Sequence, residues 1–183
     1  EENGWVPDAD ELARLAGPGV KAIFVNSPHN PTGARLDAGA MERVAAVAAK
    51  LGCLLFSDEV YRFLEYGDAP AARPACELYE RAVSLGVMSK SFGLAGLRVG
   101  WAASRDRKAL AAMAQVKDYT TICGSAPGEF LAALALRRRD AVLARNRALT
   151  LSNLALLSGF MGRHQGLLSW AAPSGGPIAF PRL

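Results

Sequence analysis

The sequence predicts an α/β protein: a three-layer, mostly parallel sheet with helices on both faces. Three observations lead there. Short, continuous apolar runs recur along the first half of the chain, as expected of strands buried on both faces. Segments with apolar residues at helical spacing separate them. Polar, glycine- and proline-rich clusters follow directly on three of the apolar runs, and in such sheets ligands bind at the carboxyl ends of the strands.

The elements follow in order. Asp8 can cap a short helix to about Leu15, which Gly17-Pro18-Gly19 ends. Residues 20–25 are apolar apart from Lys21 and form the first buried strand. Asp37 can cap a helix whose Ala40, Val44, Val47, Ala48 and Leu51 share one face, with Gly52 as its stop. Strands follow at 53–56, at 82–88 and, after the turn Gly93-Leu94-Ala95-Gly96, at 99–103. The rest is helical: 106–116, a helix opening at Ala126-Pro127, and a long one over 139–162 with Val142, Leu149, Leu156 and Phe160 in a stripe. Short strands are expected at 167–171 and 178–180, around Pro173-Ser174-Gly175-Gly176, and a domain boundary is placed near residue 137.

Composition narrows the function classes. With 183 residues, 51% of them hydrophobic, the chain can bury a core, and disorder is excluded. No run approaches the ~18 apolar residues of a membrane span, and no signal peptide is visible. The start at Glu1-Glu2-Asn3, without Met, is read as that of an internal fragment. Cys53, Cys76 and Cys123 form no C-x-x-C, so neither a disulfide framework nor a zinc site is expected, and the setting is a reducing cytoplasm. Cys53 is read as a small core residue. The net charge of +4 is mild, and Arg137-Arg138-Arg139 reads as a solvated helix face; no nucleic-acid partner and no membrane are expected. His29 and His164 are the only histidines, which speaks against a metal hydrolase, and His164 suits a helix end. There is no G-x-S-x-G elbow, no P-loop and no G-x-G-x-x-G.

The chemistry concentrates in the three clusters: Asn26 to Gly33, Ser57 to Tyr61, and Ser89 to Arg98. A lysine directly after an apolar strand is costly if buried, unless its amine is used. Lys90, desolvated, can bind an aldehyde and later move a proton. Asp58, at a strand end, can pair with a protonated ring nitrogen. Tyr61 and the Asn30 amide can donate to a ring oxygen, with a cis Asn30–Pro31 bond aiming Asn30. Arg98, with its planar fork, and Ser89 can hold a phosphate. Glu59 reads as structural. An amine, an acid, ring-oxygen donors and a phosphate cradle are what pyridoxal 5'-phosphate (PLP) requires of a protein.

In these motifs the chain resembles the fold-type I PLP-dependent aminotransferases of class I and II. Asn30-Pro31-Thr32-Gly33, Asp58-x-x-Tyr61, and Ser89-Lys90 with Arg98 eight residues after the lysine occur in family order. Gly175-Gly176-Pro177-Ile178-Ala179-Phe180-Pro181 resembles the start of the family's small domain. The resemblance implies that residues 1–137 are part of the PLP-binding large domain. Residues 138–183 are then the interdomain helix and the start of a small α/β C-terminal domain. It implies Lys90 as the catalytic, PLP-bearing lysine, with Tyr61 beside it. Asn30, Asp58, Tyr61, Ser89, Lys90 and Arg98 bind the cofactor. It also implies amino-acid and 2-oxo-acid substrates and a homodimer. The chain departs from the pattern at Val87, where many members carry a serine. It also lacks the family's upstream phosphate turn and downstream carboxylate-binding arginine, so little turnover is expected of it alone. The alternatives are another reaction on this scaffold (a β-lyase, decarboxylase or cyclising amino-acid enzyme) or a non-catalytic PLP-binding sensor.

Overall fold

A computed structural model describes residues 4–68 and 70–183. Residues 1–3, on which the reading of the chain's start rests, and residue 69 lie outside the described residues. The elements are α1 (Ala9–Leu15), β1 (Ala22–Asn26), α2 (Ala38–Leu51), β2 (Leu54–Asp58), α3 (Ala75–Leu78), β3 (Ala82–Val87), β4 (Gly100–Ser104), α4 (Arg107–Thr120), α5 (Ala126–Arg137) and α6 (Arg139–Arg163), with one 3₁₀ turn at Ala95–Leu97 before β4.

The four strands lie in the order β1-β2-β3-β4. The first three are parallel and β4 is antiparallel to β3. Asn26 stands opposite Asp58, Asp58 opposite Leu85, and Val87 opposite Gly100. This register brings the carboxyl ends of β1, β2 and β3 and the entry to β4 to one rim, where the three polar clusters sit.

The core packs against one face of the sheet. Ile23, Leu55 and Ala82 meet Ala40, Met41, Val44, Ala45 and Ala48 of α2, and Cys53 is buried with them. Each fully buried Val, Leu or Met side chain contributes about 1.5–3 kcal/mol. The expected caps are present: the Asp37 carboxylate accepts from Ala40 N at 2.7 Å, and Gly52 ends α2 at φ +62°. On the other face Phe24, 72% exposed, lies 5.2 Å from Phe56 between ring centres. A second cluster of Met88, Phe92 and Ala132, joined by Leu97, Val99 and Val142, anchors the segment after β3 beneath α5 and α6.

Several expectations need correction. β1 and β2 extend through the polar residues Asn26 and Asp58, because ladder pairing, not apolarity, sets where a strand ends. The short α3 was not expected; it begins directly after Pro74. The segments 167–171 and 178–180 are not strands; Ser169 forms an isolated bridge with Arg182, and nearby Glu65 forms one with Gly175. Pro173, Pro177 and Pro181 lack the N–H that a ladder needs. Arg137-Arg138-Arg139 is exposed as expected, but at the α5–α6 junction. Of the α6 stripe, Val142 packs while Leu149, Leu156 and Phe160 stay exposed. Among the described residues no helix is long and apolar enough to cross a membrane.

Candidate active site

The Asn30 loop leaves β1 through two cis peptides, Ser27–Pro28 and the expected Asn30–Pro31. Thr32 Oγ1 lies 2.8 Å from His29 Nδ1 and accepts from Ala34 N, so the loop is closed on itself. Gly33 sits at φ +70°, and a Cβ there would collide with Pro173 Cβ and lie 2.8 Å from the Ile178 carbonyl oxygen. This position therefore demands glycine. The Gly33 carbonyl accepts from Ser174 N and Gly175 N, at 2.8 and 3.0 Å. The C-terminal segment thus buttresses the Asn30 loop.

Asp58 is half-buried at the end of β2. Its Oδ1 accepts from Val60 N at 3.2 Å, starting a turn rather than the helix that an Asp at this place often caps. Its carbonyl accepts from Ser27 N and from Asn26 Nδ2, both at 3.1 Å. Asn26 Oδ1 accepts from Asn30 N at 2.8 Å. One amide therefore ties Asn30 to Asp58. A cleft of about 570 Å³ runs beside β1 and β2, with Asn26, His29 and Asp58 along its polar edge and Phe24 and Phe56 in its apolar wall.

Glu59 is structural, as expected. It is buried, its Oε2 accepts from Arg62 Nε at 2.8 Å, and its Oε1 accepts from Ala75 N at 2.9 Å and Ser84 Oγ at 2.7 Å. The turn between Asp58 and Tyr61 is thereby fastened to α3 and β3. Tyr61 is buried, and Lys90 Nζ lies 5.7 Å from its ring centre, within cation–π range.

Lys90 itself is exposed, which corrects the expectation of a desolvated amine. The reason is local. Met88, Ser91 and Phe92 occupy the buried positions of this segment, so Lys90 between them faces outward. Ser91 Oγ donates to the Val60 carbonyl at 3.2 Å, and Asn146 Nδ2 of α6 donates to the Ser91 carbonyl at 2.9 Å. The lysine segment is thus bolted to the Asp58–Tyr61 turn on one side and to α6 on the other. Arg98, exposed and at φ +55°, directs Nη1 to the Ala95 carbonyl at 3.0 Å and to Ser89 Oγ at 3.5 Å. Among the described residues it forms no ion pair with a carboxylate.

The sequence-derived residues therefore arrive at one rim as three pairs: Asn30 with Asp58, Tyr61 with Lys90, and Ser89 with Arg98. Asn26 and Asn146 were missed. A polar residue closing an apolar strand four positions before Asn30 was the available signal for Asn26; a lone asparagine inside a long helix gave none. Chemically the rim offers an amine, a carboxylate, a phenol, an amide and a guanidinium–hydroxyl pair, a donor set that fits a phosphorylated pyridine aldehyde. Among the described residues no group of His, Cys, Asp and Glu could hold a metal ion.

Comparison with known proteins agrees with this chemistry. Residues 1–166 match the family model described as aminotransferase class I and II. Capreomycidine synthase of Streptomyces vinaceus is 31% identical over 99% of this chain and 46% of its own length. The probable N-succinyldiaminopimelate aminotransferase DapC of Mycobacterium tuberculosis is 34% identical over 79% of the chain and 36% of its own. The crystal structure of a PLP-dependent aminotransferase from Streptococcus suis superposes with a TM-score of 0.88 at 33% identity, covering 96% of this chain and 46% of that one. The chain spans about half the length, or less, of the relatives it matches. With its motifs in order at one rim and nine-tenths of its length matched, the chain belongs to the aminotransferase class I and II family.

Proposed function

We propose that this chain is the cofactor-binding core of a PLP-dependent aminotransferase that moves an amino group between an amino acid and a 2-oxo acid. The observation that carries the reading is the register that brings Asn30, Asp58, Tyr61, Lys90 and Arg98 to one sheet rim. Bound PLP supplies an electrophilic carbon and an electron-withdrawing ring. The protein's residues do the rest. Lys90 Nζ would hold the cofactor covalently and, when free, would carry a proton to or from the substrate's α-carbon. The Asp58 carboxylate keeps the ring nitrogen protonated. The Asn30 amide and the Tyr61 hydroxyl donate to the ring oxygen, and Arg98 with Ser89 holds the phosphate.

In this reading residues 1–137 belong to the large domain, and residues 138–183 form the interdomain helix and the start of a small domain. The working enzyme is a cytoplasmic homodimer with no nucleic-acid or membrane partner.

Alternating addition of substrates to the full-length, PLP-loaded protein tests the function. An amino acid should bleach the cofactor's visible band, and a 2-oxo acid should restore it. The similarity to capreomycidine synthase along nearly the whole chain favours a second reading, a cyclising amino-acid enzyme. A visible band that recovers without any 2-oxo acid, with a cyclic amino acid formed, would select it. PLP binding with no spectral response to any amino acid would select the non-catalytic sensor.

A further inference from the structure

We infer that Asn26 is a positioning residue that sets the aim of Asn30 and Asp58 jointly, so that the two act as one unit on the bound ring. The inference rests on the functional reading above. Asn26 closes β1 directly opposite Asp58, and its side chain spans the gap between the β1 and β2 exits. Its Oδ1 accepts from the backbone N–H of Asn30 at 2.8 Å and its Nδ2 donates to the Asp58 carbonyl at 3.1 Å. Both partners are backbone groups of fixed type, one donor and one acceptor, so only this orientation of the amide satisfies both. A carboxylate of the same shape at position 26 can serve only the first and sets an oxygen against the second. An alkyl group serves neither.

The bridge fixes backbone, not side chain, at both ends, and so acts on where the Asn30 amide and the Asp58 carboxylate begin. The Asp58 carbonyl has a second donor in Ser27 N at 3.1 Å, and the strands remain paired without the amide. Loss of Asn26 should therefore loosen aim more than it costs stability. Asn30 is more dependent: it is itself exposed, and its N–H is held by Asn26 Oδ1.

The test compares N26A and N26D with the unsubstituted full-length protein. Two readings are taken: hydrogen exchange at the Asn30 amide without cofactor, and PLP affinity with the pH midpoint of the bound cofactor's visible band. Exchange at Asn30 should be protected in the unsubstituted protein and in N26D, and at least about tenfold faster in N26A, as for loss of one hydrogen bond. PLP affinity should fall roughly threefold to tenfold in both variants. The midpoint should move upward in N26A, because a weaker donation from Asn30 leaves the ring oxygen to hold its neighbouring proton. Unchanged exchange in N26A, or unchanged affinity and midpoint in both variants while the unsubstituted protein binds PLP, overturns the inference and leaves the functional reading standing. An unsubstituted, folded protein that takes up no PLP overturns that reading, and the inference with it. If N26A fails to fold, N26D alone decides, through affinity against retained Asn30 protection.

Discussion

Glu59 lies between Asp58 and Tyr61 in the chain and fastens their turn to α3 and β3. Its buried carboxylate serves Arg62, Ala75 N and Ser84 Oγ at once. Glu59→Ala leaves Arg62 and the Ala75 amide without their acceptor and should destabilise the protein by about 3 kcal/mol; Glu59→Gln, which retains an acceptor, should cost about half of that. Urea unfolding checks both, and an unchanged midpoint for Glu59→Ala would contradict the role. At this scale the sequence was most legible where chemistry fixes spacing. Asn30, Asp58, Tyr61, Lys90 and Arg98 were singled out from motif order, and the fold brings them to one rim. The exposure of Lys90 was not legible, because it follows from Met88, Ser91 and Phe92 turning inward. Nor was the Asn26 bridge, which exists only once β1 and β2 pair in register.

Among the elements, the positions of the four strands and the ends of α2 could be read from apolar runs and caps. Asp37 and Gly52 delimit α2 where the sequence placed them. The C-terminal segment could not be read so, because its bonds are to distant loops. Ser174 and Gly175 bond Gly33, while Tyr66 N donates to the Ser174 carbonyl and Tyr66 Oη to the Gly176 carbonyl. Gly33→Ala puts a Cβ into Pro173 at a left-handed φ and should cost at least about 2 kcal/mol, read as a lowered unfolding midpoint. Burial pushes the Tyr66 phenol above its ordinary 10.0. Its contribution is complete below pH 10, where the phenol is protonated in both states, and is lost as the pH rises through the raised folded value. Tyr66→Phe should remove this alkaline dependence and lower stability at neutral pH by about 1 kcal/mol. A pH series of thermal melts compares the two proteins, and identical alkaline limbs would count against the raised value of the buried phenol.

For the whole molecule, the chain carries the rim chemistry without enclosing it. Lys90 is exposed, Phe24 is 72% exposed beside the cleft at Asp58, and α4 has no buried residue. The chain also spans only 46% of the length of capreomycidine synthase. An amine left in water stays hydrated and is not held against an aldehyde by a closed site. The 183 residues alone should show little or no transamination beside the full-length protein; comparable turnover would refute this.

The central claim is that Lys90 holds the cofactor. Borohydride reduction of the full-length protein after incubation with PLP, followed by peptide mapping, tests it most directly. The account predicts one pyridoxyl adduct, on Lys90, that is absent from Lys90→Ala. An adduct on another lysine, or none on a folded protein, would contradict it.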